Sequence, residues 1–253
     1  NKANFKQLFL DNDVIKLFKI FNSHSNDAEL RFVGGCIRKL ISDEKVEDID
    51  LSTNLEPENV IEILKKNKIN FYDVGIDHGT ITAIINKKSF EITTLRKDIK
   101  TDGRHAQVVY TNNWLEDASR RDFTVNSIYS DLDGNLFDPF DGRKDLEKGI
   151  VNFIGEPDIR IKEDYLRILR NLRFYLDYSH QSHNLETIRK IRMNMDGISK
   201  LSKERLLDEL KKIIKFNSLE KLSKDKISLE LISTIFPELK NLNSFSRLTQ
   251  IQK

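Results

Sequence analysis

The sequence is poor in several things at once: its 253 residues include one Cys, one Trp, two Met, four Pro and ten Gly. With Cys36 alone, an intrachain disulfide framework and a Cys-based zinc site are both excluded, which suits a reducing compartment. No run approaches the roughly 20 apolar residues of a membrane-spanning helix, and the opening NKANFKQLFL lacks a cleavable signal pattern. The expectation is a soluble, cytoplasmic protein with no membrane partner. The missing initiator Met reads as a processed or trimmed start, so targeting by a lost leader stays open. Charge of one sign is scarce too: 42 Lys+Arg stand against 40 Asp+Glu, a net +2, so a nucleic-acid partner would have to be recognised by clustered charge. Internal repeats and low-complexity tracts are absent, and no His-Asp dipeptide signals an appended metal phosphohydrolase domain.

What is present divides the chain. Residues 1–150 hold most of the Gly and Pro and mix short β-type runs with helices, whereas residues 151–253 read as almost wholly helical. The fold class is therefore α+β, with a boundary near Gly149 to Pro157. In the front part, Glu29 to Val33 reads as a strand entering Gly34-Gly35, followed by a short helix through Leu40 and a second strand, Val46 to Ser52. Pro57 opens a helix to about Asn67. Gly79 to Asn86 and Ser89 to Leu95 form a hairpin across Lys87-Lys88, and the polar segment Arg96 to Asn113 reads as a mobile loop. A helix from Trp114 to Asn126 and a hairpin from Ser127 to Asp138, turning at Asp133-Gly134, complete it.

In the back part the periodicity predicts one helix over Asp158 to Tyr178. Tyr165, Ile168, Leu169, Leu172 and Leu176 lie on one side, and Arg160, Asp164, Arg167 and Asn171 on the other. Further helices are expected over His183 to Met195, Lys203 to Phe216 and Ile227 to Ile235, with Gly197 and Pro237 as ends. Between Val151 and Lys215 there are 14 Lys+Arg and 10 Asp+Glu, an excess suited to an RNA backbone, or simply a solvated helix surface.

The strongest chemical signal is Asp48-Ile-Asp50. On a strand, a period of two puts both carboxylates on one face, where they repel unless a cation such as Mg²⁺ lies between them. A solvated acidic edge strand would show the same pattern. Gly34-Gly35 lies at a strand-to-helix junction whose backbone N–H groups could cradle phosphate, with Arg38 one turn on, although a Gly pair also makes a plain tight turn. Glu91 is a third acid on a strand, facing the same way as Thr93, and could support the pair or be ordinary amphipathicity. In Arg120-Arg121-Asp122-Phe-Thr-Val-Asn126, the guanidinium and amide groups can hold phosphate and ribose oxygens. Asp164 and Arg167 offer an acceptor and a donor three residues apart, either a base-reading edge or a surface ion pair. His180 and His183 form an HxxH pair without further ligands in sequence.

Together, Gly34-Gly35-x-x-Arg38, Asp48-x-Asp50, Glu91-Ile-Thr-Thr-x-Arg96, Arg120-Arg121-Asp122-Phe-Thr-x-Asn126 and Glu163-Asp164-x-x-Arg167-x-x-Arg170 resemble, in this order, class II tRNA nucleotidyltransferases. These are the CCA-adding enzymes, with bacterial poly(A) polymerase a close relative. The resemblance covers roughly Phe32 to Leu210. It implies a polymerase β-like nucleotidyltransferase head, with a mixed sheet and helices, over 1–150, then a helical neck and shortened body over 151–253. It also implies two Mg²⁺ held by Asp48 and Asp50, one activating the RNA 3′-hydroxyl and one steadying pyrophosphate, with CTP and ATP as substrates and the tRNA 3′ acceptor end as partner. No DNA partner is expected.

By the same resemblance Gly34, Gly35 and Arg38 would hold the triphosphate, and Arg121, Asp122 and Asn126 phosphate and sugar. Asp164, Arg167 and Arg170 would act in nucleotide selection, with Glu91, Arg96 and Glu163 supporting. Ser202-x-Glu204-Arg205 would brace the templating helix, a segment that also reads as a helix N-cap. The long segment 97–113 favours the full C, C, A programme or A addition over CC addition alone. Lys39 and Asp141 depart from the family pattern, which often has an acid at the first position and Gly in a Pro-x-Gly-Gly run at the second. Relatives usually continue into longer helical regions that grip the tRNA elbow, whereas here about 40 residues follow Leu210. The alternatives are an A-adding enzyme, a poly(A) polymerase, or a degenerate RNA-binding protein that kept the fold.

Overall fold

The computed structural model describes residues 8–101, 106–214 and 216–239, organised as two compact units divided at Glu147–Lys148, with Thr101 grouping with the second. In the first unit, α1 (Asn12–Asn22) was not foreseen, although its signature is in the sequence. Asp11 caps it, its carboxylate accepting from the Asp13 and Val14 backbone N–H groups, and Val14, Leu17, Phe18 and Phe21 repeat along its buried stripe. There follow β1 (Leu30–Val33), α2 (Gly35–Ile41), β2 (Ile49–Thr53), α3 (Pro57–Lys66), β3 (Asn70–Tyr72), β4 (Thr80–Ile85) and β5 (Lys88–Thr94). After β6 (Arg96–Thr101) and β7 (Ala106–Tyr110) come α4 (Trp114–Ser119), β8 (Tyr129–Ser130), β9 (Leu136–Phe137) and α5 (Gly142–Lys148).

Seven strands make one mixed sheet in the order β3-β4-β5-β2-β1-β8-β9. The β2–β5 pair is parallel and its neighbours are antiparallel. Leu30, Phe32, Leu51, Phe90 and Ile92 alternate onto one face and pack with Phe18, Phe21, Val60 and Leu64 of α1 and α3. Each such fully buried large side chain stabilises by about 1.5–3 kcal/mol. The same alternation leaves Asp50 and Glu91, register partners on β2 and β5, on the opposite face.

Several expectations change here. The segment Arg96 to Asn113 is not a structureless loop: β6 and β7 pair as a two-stranded ribbon, and Gly103 lies outside the described residues. The β4–β5 turn falls on Asn86-Lys87, both at positive φ (49° and 67°), one residue earlier than expected, because Ile85 pairs with Lys88. The Trp114 to Asn126 helix stops at Ser119. Phe123 is extended (φ −127°, ψ 150°), and a single 3₁₀ turn covers Thr124–Asn126.

The second unit contains α6 (Pro157–Glu163), α7 (Leu166–Tyr178), α8 (Leu185–Met193), α9 (Lys203–Ile213), α10 (Phe216–Lys224) and α11 (Lys226–Ile235). The expected long helix over Asp158 to Tyr178 is thus two, broken at Asp164 (φ −154°, ψ 106°). Asn171, assigned to the polar side, is buried. Gly197 does not end a helix: it sits inside a 3₁₀ stretch, Met195–Lys200, and faces the Tyr165 ring so closely that a Cβ would lie 2.0 Å from Cε1. Leu169, Leu172 and Leu176 pack with Leu210, Ile213, Leu222 and Ile232 as this unit's core. Among the described residues, no helix is long and apolar enough to cross a membrane.

Candidate active site

β1 delivers the chain to Gly34, whose φ of +63° lets it turn directly into α2. A Cβ on Gly34 would lie 3.4 Å from Arg121 Nη1 and from the Asn126 carbonyl oxygen. One on Gly35 would lie 3.5 Å from Asp50 Oδ2 and 3.9 Å from Arg38 Nη2. The bend, one catalytic-type acid and three polar candidates therefore meet at one place. Arg38 Nη1 donates to Asn126 Oδ1, and Asn126 Nδ2 donates to Asp122 Oδ1 at 2.8 Å. Asp122 and Asn126 are four apart, as noted from sequence, but a turn and a 3₁₀ segment join them rather than α-helix.

Asp50 is half-buried on β2, while Asp48 is exposed just ahead of it, because the ladder with β5 begins at Ile49. The expected strand Val46 to Ser52 is correspondingly shorter at its start. Burial pushes the Asp50 carboxyl above its ordinary range. Glu91 and Asp48 add to this as like charges, and Arg121 and Arg38 oppose it. This negative charge left uncompensated by the protein suits a hard divalent cation with oxygen ligands. Among the described residues no three His, Cys, Asp or Glu side chains form a metal cage. Cys36 beside Asp50 is inert: burial and the Asp50 charge push its thiol up to about 12.

Two residues were missed by sequence reasoning. Asp117 is 1% exposed, and its carboxylate accepts from Arg120 Nε (3.0 Å) and Nη2 (2.7 Å), from Arg121 Nε (3.3 Å) and Nη2 (3.2 Å), and from Tyr129 Oη (2.6 Å). Its spacing, three and four residues before two Arg, was the available signal. Tyr129, which also accepts from Arg121 Nε at 2.9 Å, carried none, since a strand aromatic reads as core. Arg96 donates through Nη1 to the His78 carbonyl, and its backbone N–H reaches Asp117 Oδ1 at 3.2 Å.

In the helical unit, Asp164 Oδ1 accepts from the Leu166 backbone N–H at 3.1 Å, and Oδ2 accepts from Arg205 Nη2 at 2.8 Å. Arg167 Nη1 donates to Glu163 Oε2 and to the Arg160 carbonyl, at 2.6 and 2.7 Å. Asp164 and Arg167 are thus not two points on one helical face: the first precedes α7 in extended backbone and the second lies in its first turn. Ser202 caps α9 through the Arg205 N–H, and Glu204 is exposed in the first turn. The Arg170 guanidinium lies 5.5 Å from the Phe174 ring centroid. His183 is held by Asp225 Oδ2 at 2.7 Å and stacks on Tyr175.

A family model described as the poly A polymerase head domain matches residues 30–152, and one described as the probable RNA and SrmB-binding site of polymerase A matches 184–242. The chain is 43% identical over 213 residues to the mitochondrial CCA tRNA nucleotidyltransferase 1 of Danio rerio, covering 83% of this chain and 49% of that protein. It belongs to the CCA-adding enzyme family. The human protein of the same name is 45% identical over 197 residues, covering 77% of this chain and 45% of its own. A crystal structure of the Bacillus stearothermophilus CCA-adding enzyme in complex with CTP superposes with a TM-score of 0.75 at 28% identity, covering 91% of this chain and 52% of that one. The sheet with its helices is the nucleotidyltransferase head fold. The chain spans about half the length of the curated relatives it matches. Nucleotidyltransferases of this family generally use divalent metal ions.

Proposed function

We propose that this chain carries the catalytic head, about 1–150, and a helical neck and body segment, 151–253, of a template-independent RNA 3′-terminal nucleotidyltransferase that adds C, C and A to tRNA ends from CTP and ATP. The observation that carries this reading is the approach of the Asp50 carboxylate to the glycine bend, with Oδ2 3.5 Å from the Gly35 Cβ position. Acids turned away from that bend could not act on a phosphorus seated there.

Asp48 and Asp50 would hold two Mg²⁺, with Glu91 supporting. When bound, the ions lower the pKa of the attacking 3′-hydroxyl and offset charge on the leaving pyrophosphate. Gly35, at the start of α2, offers backbone to the triphosphate, whereas the Gly34 N–H, expected to share that role, is taken by the Ile128 carbonyl at 3.1 Å, so Gly34 contributes the bend and the absence of a side chain. Arg38 and Arg121 supply cationic donors on either side of it, and Asn126, linked to both Arg38 and Asp122, offers its amide to the sugar. Attack is in line, without a covalent enzyme intermediate. To Asp164 and Arg167 we assign base choice, acceptor toward an exocyclic amine and donor toward a ring nitrogen or carbonyl. Arg170 assists, and Glu163, Glu204 and Arg205 support. Buried Cys36 suits a reducing cytoplasm, although the fish and human relatives carry mitochondrial in their names.

The test is incubation with a tRNA lacking its 3′ end, Mg²⁺ and each labelled NTP in turn. The expected result is incorporation of C then A, abolished in Asp48→Ala and Asp50→Ala. Long A tracts would assign the chain to the poly(A)-forming relatives, and RNA binding without incorporation would overturn the enzymatic reading.

A further inference from the structure

Arg121 approaches the glycine bend with Nη1, which lies 3.4 Å from the Asn126 carbonyl and from the Cβ position of Gly34. Its other two nitrogens are committed behind it: Nη2 to Asp117 Oδ2, and Nε to Asp117 Oδ2 and Tyr129 Oη. Tyr129 in turn donates to the same Asp117 oxygen at 2.6 Å, closing a triangle of carboxylate, phenol and guanidinium. The second carboxylate oxygen, Oδ1, takes Arg120. Both anchors are fixed from outside the triangle. Asp117 lies on α4, with Oδ1 also accepting the Arg96 N–H, and Tyr129 lies on β8, fully buried against Trp114 and Phe137.

We infer that Asp117 and Tyr129 are positioning residues that lock the Arg121 guanidinium in the one orientation presenting Nη1 to a phosphate at Gly34-Gly35. This inference rests on the nucleotidyl-transfer reading for the identity of that phosphate. The charge balance supports it. One carboxylate faces two guanidiniums, so the group keeps a net positive charge for the substrate while Arg121 is still held by three directional bonds. A long flexible side chain loses rotamer freedom on being fixed, and fixing it in the folded protein removes that cost from the binding step. The arrangement also separates labour between adjacent arginines. Arg120 Nε donates to the Arg96 carbonyl as well as to Asp117, which ties it to the start of β6 rather than to the bend.

The test separates positioning from charge and from mere stability. Asp117→Asn keeps the shape and removes a negative charge, so electrostatics alone would tighten CTP and ATP binding. Lost positioning weakens it, and we expect nucleotide KM and equilibrium Kd to rise about tenfold. Tyr129→Phe, which keeps the ring, should raise both in the same direction by about threefold. In an Arg121→Ala background neither substitution should change KM or Kd further. Unchanged or tighter nucleotide binding in folded Asp117→Asn, or effects of full size without Arg121, would overturn the inference. If Asp117→Asn does not fold, Tyr129→Phe and its cycle with Arg121→Ala decide by the same criteria. A wild-type protein that binds CTP and ATP but incorporates neither would refute the enzymatic reading, and the Kd arm would still test the inference.

Discussion

Arg205 and Asp164 are joined across 41 positions of sequence by an ion pair, Arg205 Nη2 donating to Asp164 Oδ2 at 2.8 Å. Arg205 sits in the first turn of α9 and Asp164 in the extended break between α6 and α7, where no helical ladder fixes it. Both side chains are roughly a quarter exposed, so the pair is worth only about 0.2–1 kcal/mol. Its consequence is orientation. Arg205→Met should lower the melting temperature by no more than about 4 °C. It should, however, reduce discrimination for CTP and ATP over UTP and GTP, as Arg167→Ala should more strongly. Measured misincorporation decides, and unchanged selectivity in both variants would remove base choice from this segment.

Gly197 and Gly34 should respond differently to a methyl group. In Gly197→Ala a Cβ 2.0 Å from the Tyr165 ring forces repacking, with an expected loss of about 1–3 kcal/mol read by thermal denaturation. In Gly34→Ala the methyl meets Arg121 and Asn126 at only ordinary closeness, and the cost is the φ of +63°, about 1–2 kcal/mol. There the larger effect should be on nucleotide KM, because the methyl occupies the approach to the bend.

Asp141 explains its own departure from the family pattern. It adopts φ 54°, a conformation glycine takes freely, and its ion pair with Lys144 is exposed on both sides. Asp141→Gly should therefore stabilise the protein by about 0.5–1 kcal/mol, a rise of roughly 1–4 °C in Tm, whereas Asp141→Ala should destabilise it.

Acid stability should depend on Asp117. Burial by itself would raise this carboxyl, but Arg121 and Arg120, with the Tyr129 hydroxyl, outweigh burial and hold it at about 2. A carboxyl depressed in the folded state stabilises above its unfolded pKa, near 3.9, and that contribution is lost as the pH falls toward 2. Chemical denaturation between pH 5 and 2 should show wild-type stability falling by on the order of 2 kcal/mol from this group, and a flatter limb in Asp117→Asn.

Much of the head was legible because strand alternation and turn chemistry are local. The faces of β2 and β5, the hairpin turning at Gly134 (φ 85°) and the Pro57 helix start all follow from neighbouring residues. The ribbon of β6 and β7 was not, because β6, RKDIKT, is polar and β7, AQVVY, is a short apolar run, so neither shows the alternation by which strands are recognised, and pairing defines them. The break at Asp164 was hidden for a related reason: the apolar period runs through it, and the residues that hold the break open, Arg205 and the Leu166 N–H, are set by tertiary packing and by an Asx turn.

By itself the sequence determined the acids, glycines and arginines of the site and the order in which they appear, since residue type and strand period already place Asp50 and Glu91 together on one sheet face. Only the tertiary structure decided which nitrogen of Arg121 faces the bend and which are taken by Asp117 and Tyr129. A side chain's orientation is fixed by the partners it meets in space: Asp117 is four residues away, a spacing the sequence does show, but Tyr129 comes from β8, whose approach no local pattern encodes.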